Sequence, residues 1–113
     1  MKIYIAGKIT GEPLEQCKAK FAEAENRLRN AGANPVNPFK LGIPDHFTRE
    51  QALPYCFKAL RYCSAIFILN DSINSLGSKH EIEEAKLLQL DVFYEVTNDY
   101  DRISDLVKIG LVG

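Results

Sequence analysis

The sequence predicts an α/β domain in which helices cover both faces of a parallel, doubly wound sheet of about four strands. Three observations carry that expectation. The spacing of apolar residues switches between strand-like and helix-like four times along the chain, and such alternation implies parallel strands joined by right-handed crossovers. The run Ala65–Leu69 is apolar at every position, as a strand covered on both faces must be. The length of 113 residues suits one domain, here residues 1–113.

Each element has a local reason. Lys2–Ala6 is a short β-rich run that ends at Gly7, the first expected strand. Pro13 sits in the first turn of the next segment. There Leu14, Cys17, Phe21, Ala24, Leu28 and Ala31 recur at helical steps of 3, 4, 3, 4 and 3, and Gly32 stands where the helix should stop. Asn34–Asn37 forms a brief second strand broken by Pro38, and residues 38–47 are loop. Thr48 with Gln51 offers a capping box. Because Pro54 cannot donate a helical hydrogen bond, a separate turn is expected there, followed by a main helix from Pro54 to Cys63. After the third strand, Ala65–Leu69, the polar loop Asn70–Gly77 leads to a helix over Lys79–Leu88. Val92–Glu95 is the fourth strand, and Asp99–Lys108 closes the series with Tyr100, Ile103, Leu106 and Val107 on one face.

The composition excludes several roles. Fourteen basic residues balance 15 acidic ones, for a net charge of −1, and no basic block interleaves with aromatics. No nucleic-acid polymer is therefore expected as partner. The apolar run at the N-terminus is too short for a signal peptide and meets Lys8. No segment approaches the ~20 apolar residues of a membrane span, so no membrane partner is expected and the expected location is the cytoplasm. Cys17, Cys56 and Cys63 show no Cys-x-x-Cys spacing and fall on apolar helix faces, as reduced core thiols do. His46 and His80 are isolated, so no metal site is expected, and nothing in the motifs calls for a cofactor.

The expected strand order is the flavodoxin-like one, 2-1-3-4. Ligands in such sheets bind beyond the carboxyl ends of the strands, where the order reverses. The reversal falls between the first and third strands, which brings the loops Gly7–Gly11 and Asn70–Ser78 to the site. The first loop is no P-loop, because Lys2 and Ile9 stand where that motif needs Gly and Ser or Thr. Gly7 can still admit a ligand to the backbone and Lys8 can face an anion, or the segment is a plain strand-to-helix turn. In the second loop Gly77 permits a tight turn and Ser78 is a natural N-cap. Free N–H groups there, with the Ser75 hydroxyl, would suit a phosphate. The same helix dipole would favour an ionised Glu81, a candidate carboxylate nucleophile. Ser78-x-x-Glu81 is equally the spacing of a capping box, in which Glu81 only bonds the backbone of Ser78.

Tyr4-Ile5-Ala6-Gly7, then Asn37-Pro38, then a strand followed by Gly77-x-x-x-Glu81 resemble the nucleoside 2-deoxyribosyltransferase-like family, closest to its small members. Ser75-Leu76-Gly77-x-x-x-Glu81 also resembles the loop of 2′-deoxynucleoside 5′-phosphate N-hydrolases. The resemblance spans about residues 2–95. It implies a homodimer acting on a nucleoside or nucleotide, as a hydrolase or transferase that cleaves the N-glycosidic bond to deoxyribose. Glu81 would attack the anomeric carbon, Tyr4 would line the site and Ser75 would hold the 5′-phosphate. The chain departs from the pattern at Cys56 and Ser64, where relatives place aspartates, and at Lys8 in the first loop. Asp71 and Asp45 are then the loop acids left for the leaving base. A non-catalytic nucleotide-binding module of the same fold is the alternative. A receiver-type module is disfavoured, because Gly7-Lys8 stands where it would cluster acids.

Overall fold

The computed structural model describes residues 1–72 and 76–110, the first two of the second stretch by backbone alone. Four parallel strands, β1 (Lys2–Ala6), β2 (Asn34–Val36), β3 (Ala65–Ile68) and β4 (Asp91–Tyr94), form one sheet in the order β2-β1-β3-β4. Helices α1 (Leu14–Asn30), α2 (Arg49–Arg61), α3 (Leu76–Leu87) and α4 (Asp99–Lys108) make the connections and the final cover. The register pairs Tyr4 with Val36 on one side and Ile66 on the other. The expected architecture and strand order are those observed.

The two-residue period of β1 divides the core. Ile3 and Ile5 face α1 and α4, packing with Phe21, Leu28, Phe67 and Ile103. Tyr4 and Ala6 face α2 and α3, packing with Cys56, Leu60, Ile66 and Ile68. A polar hydroxyl therefore enters the second core layer at Tyr4, and its partner has to come from the helices above it. All three cysteines are buried and unbridged. Among the described residues no helix is long and apolar enough to cross a membrane.

Two helix starts differ from expectation. Helix α2 runs unbroken from Arg49, because the Thr48–Gln51 capping box forms in full and nucleates the turn before Pro54 arrives. Pro54 is exposed, so the Glu50 carbonyl it leaves without a helical donor can be met by water. Helix α3 begins at Leu76, three residues earlier than expected, so Ser78 lies inside the first turn and is not the N-cap. Pro13 is the N-cap residue of α1. At the other end of α1 the Gly32 N–H reaches the Arg29 carbonyl and the Ala33 N–H the Leu28 carbonyl, with Gly32 at φ +94°, the expected glycine stop.

Gly7 is required by packing. A Cβ at this position would stand 2.7 Å from Phe21 Cζ and 2.8 Å from Leu69 Cδ1. Both neighbours are fully buried, so the added carbon has nowhere to go. Gly7→Ala should lower unfolding stability by about 1–3 kcal/mol, measured by urea denaturation, while an exposed Gly11→Ala control tests strain without a clash.

Candidate active site

Glu81 points from the second turn of α3 into the layer between helices and sheet, and only 2% of it is exposed. Its two carboxylate oxygens have different partners. Oε2 accepts from the hydroxyl of Tyr4 on β1, and Oε1 is paired with the guanidinium of Arg49 in the first turn of α2. These contacts use the carboxylate that a capping box would have turned toward Ser78. The Cys56 thiol, one helical face along α2, adjoins the Tyr4 hydroxyl. The site thus gathers one group from the sheet, two from α2 and one from α3.

Burial dominates the ionisation of this cluster. It pushes the Glu81 carboxyl above the ordinary carboxylate range, although Arg49 and the Tyr4 hydroxyl both draw it back. Burial, reinforced by the nearby Glu81 charge, lifts Tyr4 well above the ordinary phenol value, so it acts as a donor. Burial also disfavours the Arg49 charge, but Glu81 outweighs that and holds the guanidinium protonated. Burial raises the Cys56 thiol as well, leaving it protonated.

Beside this cluster lies a cleft of about 510 Å³. Ile9 and Thr10 of the first loop form one wall, with Leu14 and Lys18 of α1. The segment after β2 forms the other, through Pro38, Phe39, Ile43, Asp45 and Phe47. Thr48, Arg49, Ala52 and Cys56 bring the start of α2 to the same space. The cleft therefore opens toward β2. Of the two expected loops, the first lines it through Ile9 and Thr10, while Asn70–Ser72 and Ser78, described parts of the second, do not.

The Asn37-Pro38 pair builds that wall. Asn37 Oδ1 accepts from the Phe39 N–H at 3.0 Å and caps the short 3₁₀ turn Pro38–Lys40. Its Nδ2 donates to the buried Glu25 of α1 at 3.4 Å, where Lys40 Nζ also lies 2.9 Å away. Burial works against the Glu25 charge, yet Lys40 and Asn37 hold its carboxyl below the ordinary range. An asparagine and a lysine thus pin the loop after β2 to α1.

The other expected site residues fall elsewhere. Asp71 belongs to a second cluster, in which Lys20 of α1 pairs with it and the Lys8 N–H donates to its Oδ1 at 3.2 Å. Lys20 Nζ also donates to the Lys8 carbonyl at 3.0 Å. The Lys8 side chain lies 3.7 Å from Glu12, half exposed and away from the cleft. Gly77 and Ser78 occupy the first turn of α3, and Ser75 lies outside the described residues. Arg49 was missed, because an expected break before Pro54 hid it in an isolated turn; the unbroken capping box was the available signal. Among the described residues no group of three or more His, Cys, Asp or Glu could hold a metal ion.

With this geometry in hand, the comparisons with known proteins bear on the fold. A family model described as a domain of unknown function (DUF4406) matches residues 1–94, and the chain belongs to that family. No curated protein matches the sequence. Among solved structures, the CMP N-glycosidase BcmB of Clostridium botulinum is similar with a TM-score of 0.57 at 15% identity. The match covers 83% of this chain and 67% of that one, and at this identity it establishes a common fold.

The Asp71 cluster is about one-third open to solvent, so its loss should be mild. Asp71→Asn should cost no more than about 1 kcal/mol. Amide exchange at Lys8, whose N–H loses a charged acceptor, should quicken without exposing the Tyr4–Glu81 contact.

Proposed function

We propose that this chain cleaves, or transfers across, the N-glycosidic bond of a deoxynucleoside or its 5′-monophosphate, with Glu81 as the nucleophile. The observation that carries this reading is the buried Tyr4–Glu81 hydrogen bond beside a largely apolar cleft at the carboxyl end of β1. A carboxylate aimed by a phenol is the equipment for capturing an oxocarbenium-like centre. The likeness of fold to a protein named as a CMP N-glycosidase supports the same reaction class.

In the reaction, Glu81 attacks the anomeric carbon as the bond to the base breaks, and the base leaves with that electron pair. Water, or a second base in a transfer, then displaces the carboxylate from the sugar. The walls Ile9, Phe39, Ile43 and Phe47 can hold a planar base away from water. Of the two loop acids expected for the leaving base, Asp71 is paired with Lys20 and does not line the cleft, whereas Asp45 lines it and suits the role. As a hydrogen-bond acceptor it favours a protonated base, the better leaving group.

A second reading, a nucleotide-binding module without catalysis, has one observation in its favour: Arg49 already occupies the carboxylate that would have to attack. Incubation with deoxynucleosides and their monophosphates, followed by chromatography for free base, separates the two. Glu81→Gln should reduce base release about 10³-fold or more, because an amide is no nucleophile. Removing one partner of the buried ion pair should also cost about 3 kcal/mol of stability, above the loss of a surface cap. Activity should fall on acidification through the raised Glu81 value, since only the ionised form attacks and burial moves that loss above the ordinary carboxylate range. Binding without any release in the wild type would select the second reading.

A further inference from the structure

Resting on that reading, we propose that Arg49 is a positioning residue that bars Glu81 from the cleft until an anionic group of the substrate takes its guanidinium. Arg49 is the link between the two halves of the site. It lines the cleft with 19% of its side chain exposed, whereas Glu81 and Tyr4 do not line it at all. Anything in the cleft therefore meets the guanidinium before the carboxylate, and attack requires Arg49 to move.

The energetics decide what can move it. A neutral ligand offers no replacement for Glu81, so withdrawing Arg49 would leave two desolvated charges apart, which is strongly unfavourable. A phosphate offers more charge than a carboxylate and fits the planar fork of the guanidinium through two hydrogen bonds. The exchange keeps Arg49 paired and frees one Glu81 oxygen, while Tyr4 still holds the other. The surroundings favour the same exchange: Thr48 and Arg49 place the N-terminal end of α2 at the cleft, and its dipole favours an anion. Lys18 adds a second cation on the wall.

The latch also affects the charge of Glu81. Among the described residues, the titratable groups facing it are Tyr4 from β1 and Arg49 and Cys56 from α2, while the β3 side chains in the same layer are Ile66 and Ile68. Of these, Arg49 is the principal influence opposing burial. Taking it away, by mutation or by a ligand, lets the carboxyl titrate higher.

The experiment reads Glu81 directly by carbon-13 NMR of labelled glutamate carboxyls, assigned through Glu81→Gln. The probes are carbocyclic 2′-deoxycytidine and its 5′-monophosphate, in which a ring carbon replaces the oxygen needed for an oxocarbenium centre, so neither is cleaved. In the wild type the monophosphate should shift the Glu81 signal and raise its titration midpoint, and the nucleoside should do neither. Arg49→Met should raise the midpoint without ligand, abolish the further response, and reduce the preference for the monophosphate by roughly tenfold. Arg49→Lys, which keeps the cation if Arg49→Met folds poorly, should retain a weaker response. An equal response to both probes, full monophosphate preference in Arg49→Met, or no binding of the monophosphate would each overturn the latch. None of these readouts uses turnover. Absent base release with these responses intact would defeat the proposed reaction and leave the latch; base release with a Glu81 signal indifferent to Arg49 would do the reverse.

Discussion

A carboxylate buried between sheet and helices has to be paired on both oxygens, and Glu81 meets that demand with partners from two other elements. Tyr4 comes from the central strand β1 and Arg49 from α2, while Glu81 itself rides on α3. The contact therefore fixes how both helices of one face sit over the sheet. Replacing any one group leaves a polar or charged neighbour without its counterpart in a low-dielectric layer, where that is most costly. On the opposite face the buried carboxylate of Glu25 sits on α1 and is paired with Asn37 and Lys40 of the loop after β2, with no strand side chain among its partners in the described residues. The layer of Ile3, Ile5, Phe21, Phe67 and Ile103 on that face is apolar, and Gly7 is small because Phe21 and Leu69 fill the space beside it.

Two further polar clusters arrange the loops around that fixed point. Glu25, Asn37 and Lys40 tie the segment after β2 to α1 and so set the apolar wall of the cleft. Lys20, Asp71 and the backbone of Lys8 tie the first loop to the 3₁₀ turn Asn70–Ser72 that follows β3. Both clusters are anchored on α1, which makes that helix the reference for the cleft on one side. The Lys20–Asp71 pair is partly open to water and positions its loop at modest energetic stakes, whereas Glu25 is itself buried and depends on its partners.

Much of the fold was legible because local pattern and tertiary need agree. The alternation in β1 and the unbroken apolar run of β3 state which strands are central, and the helical spacing of α1 ends at a glycine that takes a positive φ. The start of α2 was misplaced because Pro54 was weighted above a capping box that forms completely. The start of α3 was misplaced because Ser78 has the chemistry of a cap, yet the helix had already begun. Site geometry was harder to see. Tyr4 and Glu81 lie 77 residues apart and Arg49 and Glu81 lie 32 apart, separations that no periodicity reports. Glu81 was named from the helix start after the third strand and Tyr4 through resemblance to a family, whereas Arg49 has no counterpart in the motifs compared. Asp71 was named by its loop alone, and its pairing with Lys20 was not legible because it depends on how α1 crosses the sheet.

The central claim is that the buried Glu81 carboxylate becomes covalently attached to the sugar. The most direct measurement is the intact and peptide mass of the protein quenched in acid during the first turnovers with a 2′-deoxynucleoside 5′-monophosphate. The account predicts a transient mass increase equal to one deoxyribosyl phosphate, located on the peptide that carries Glu81 and absent from Glu81→Gln. Release of base with no adduct at any sampled time, or an adduct on a different residue, would contradict it.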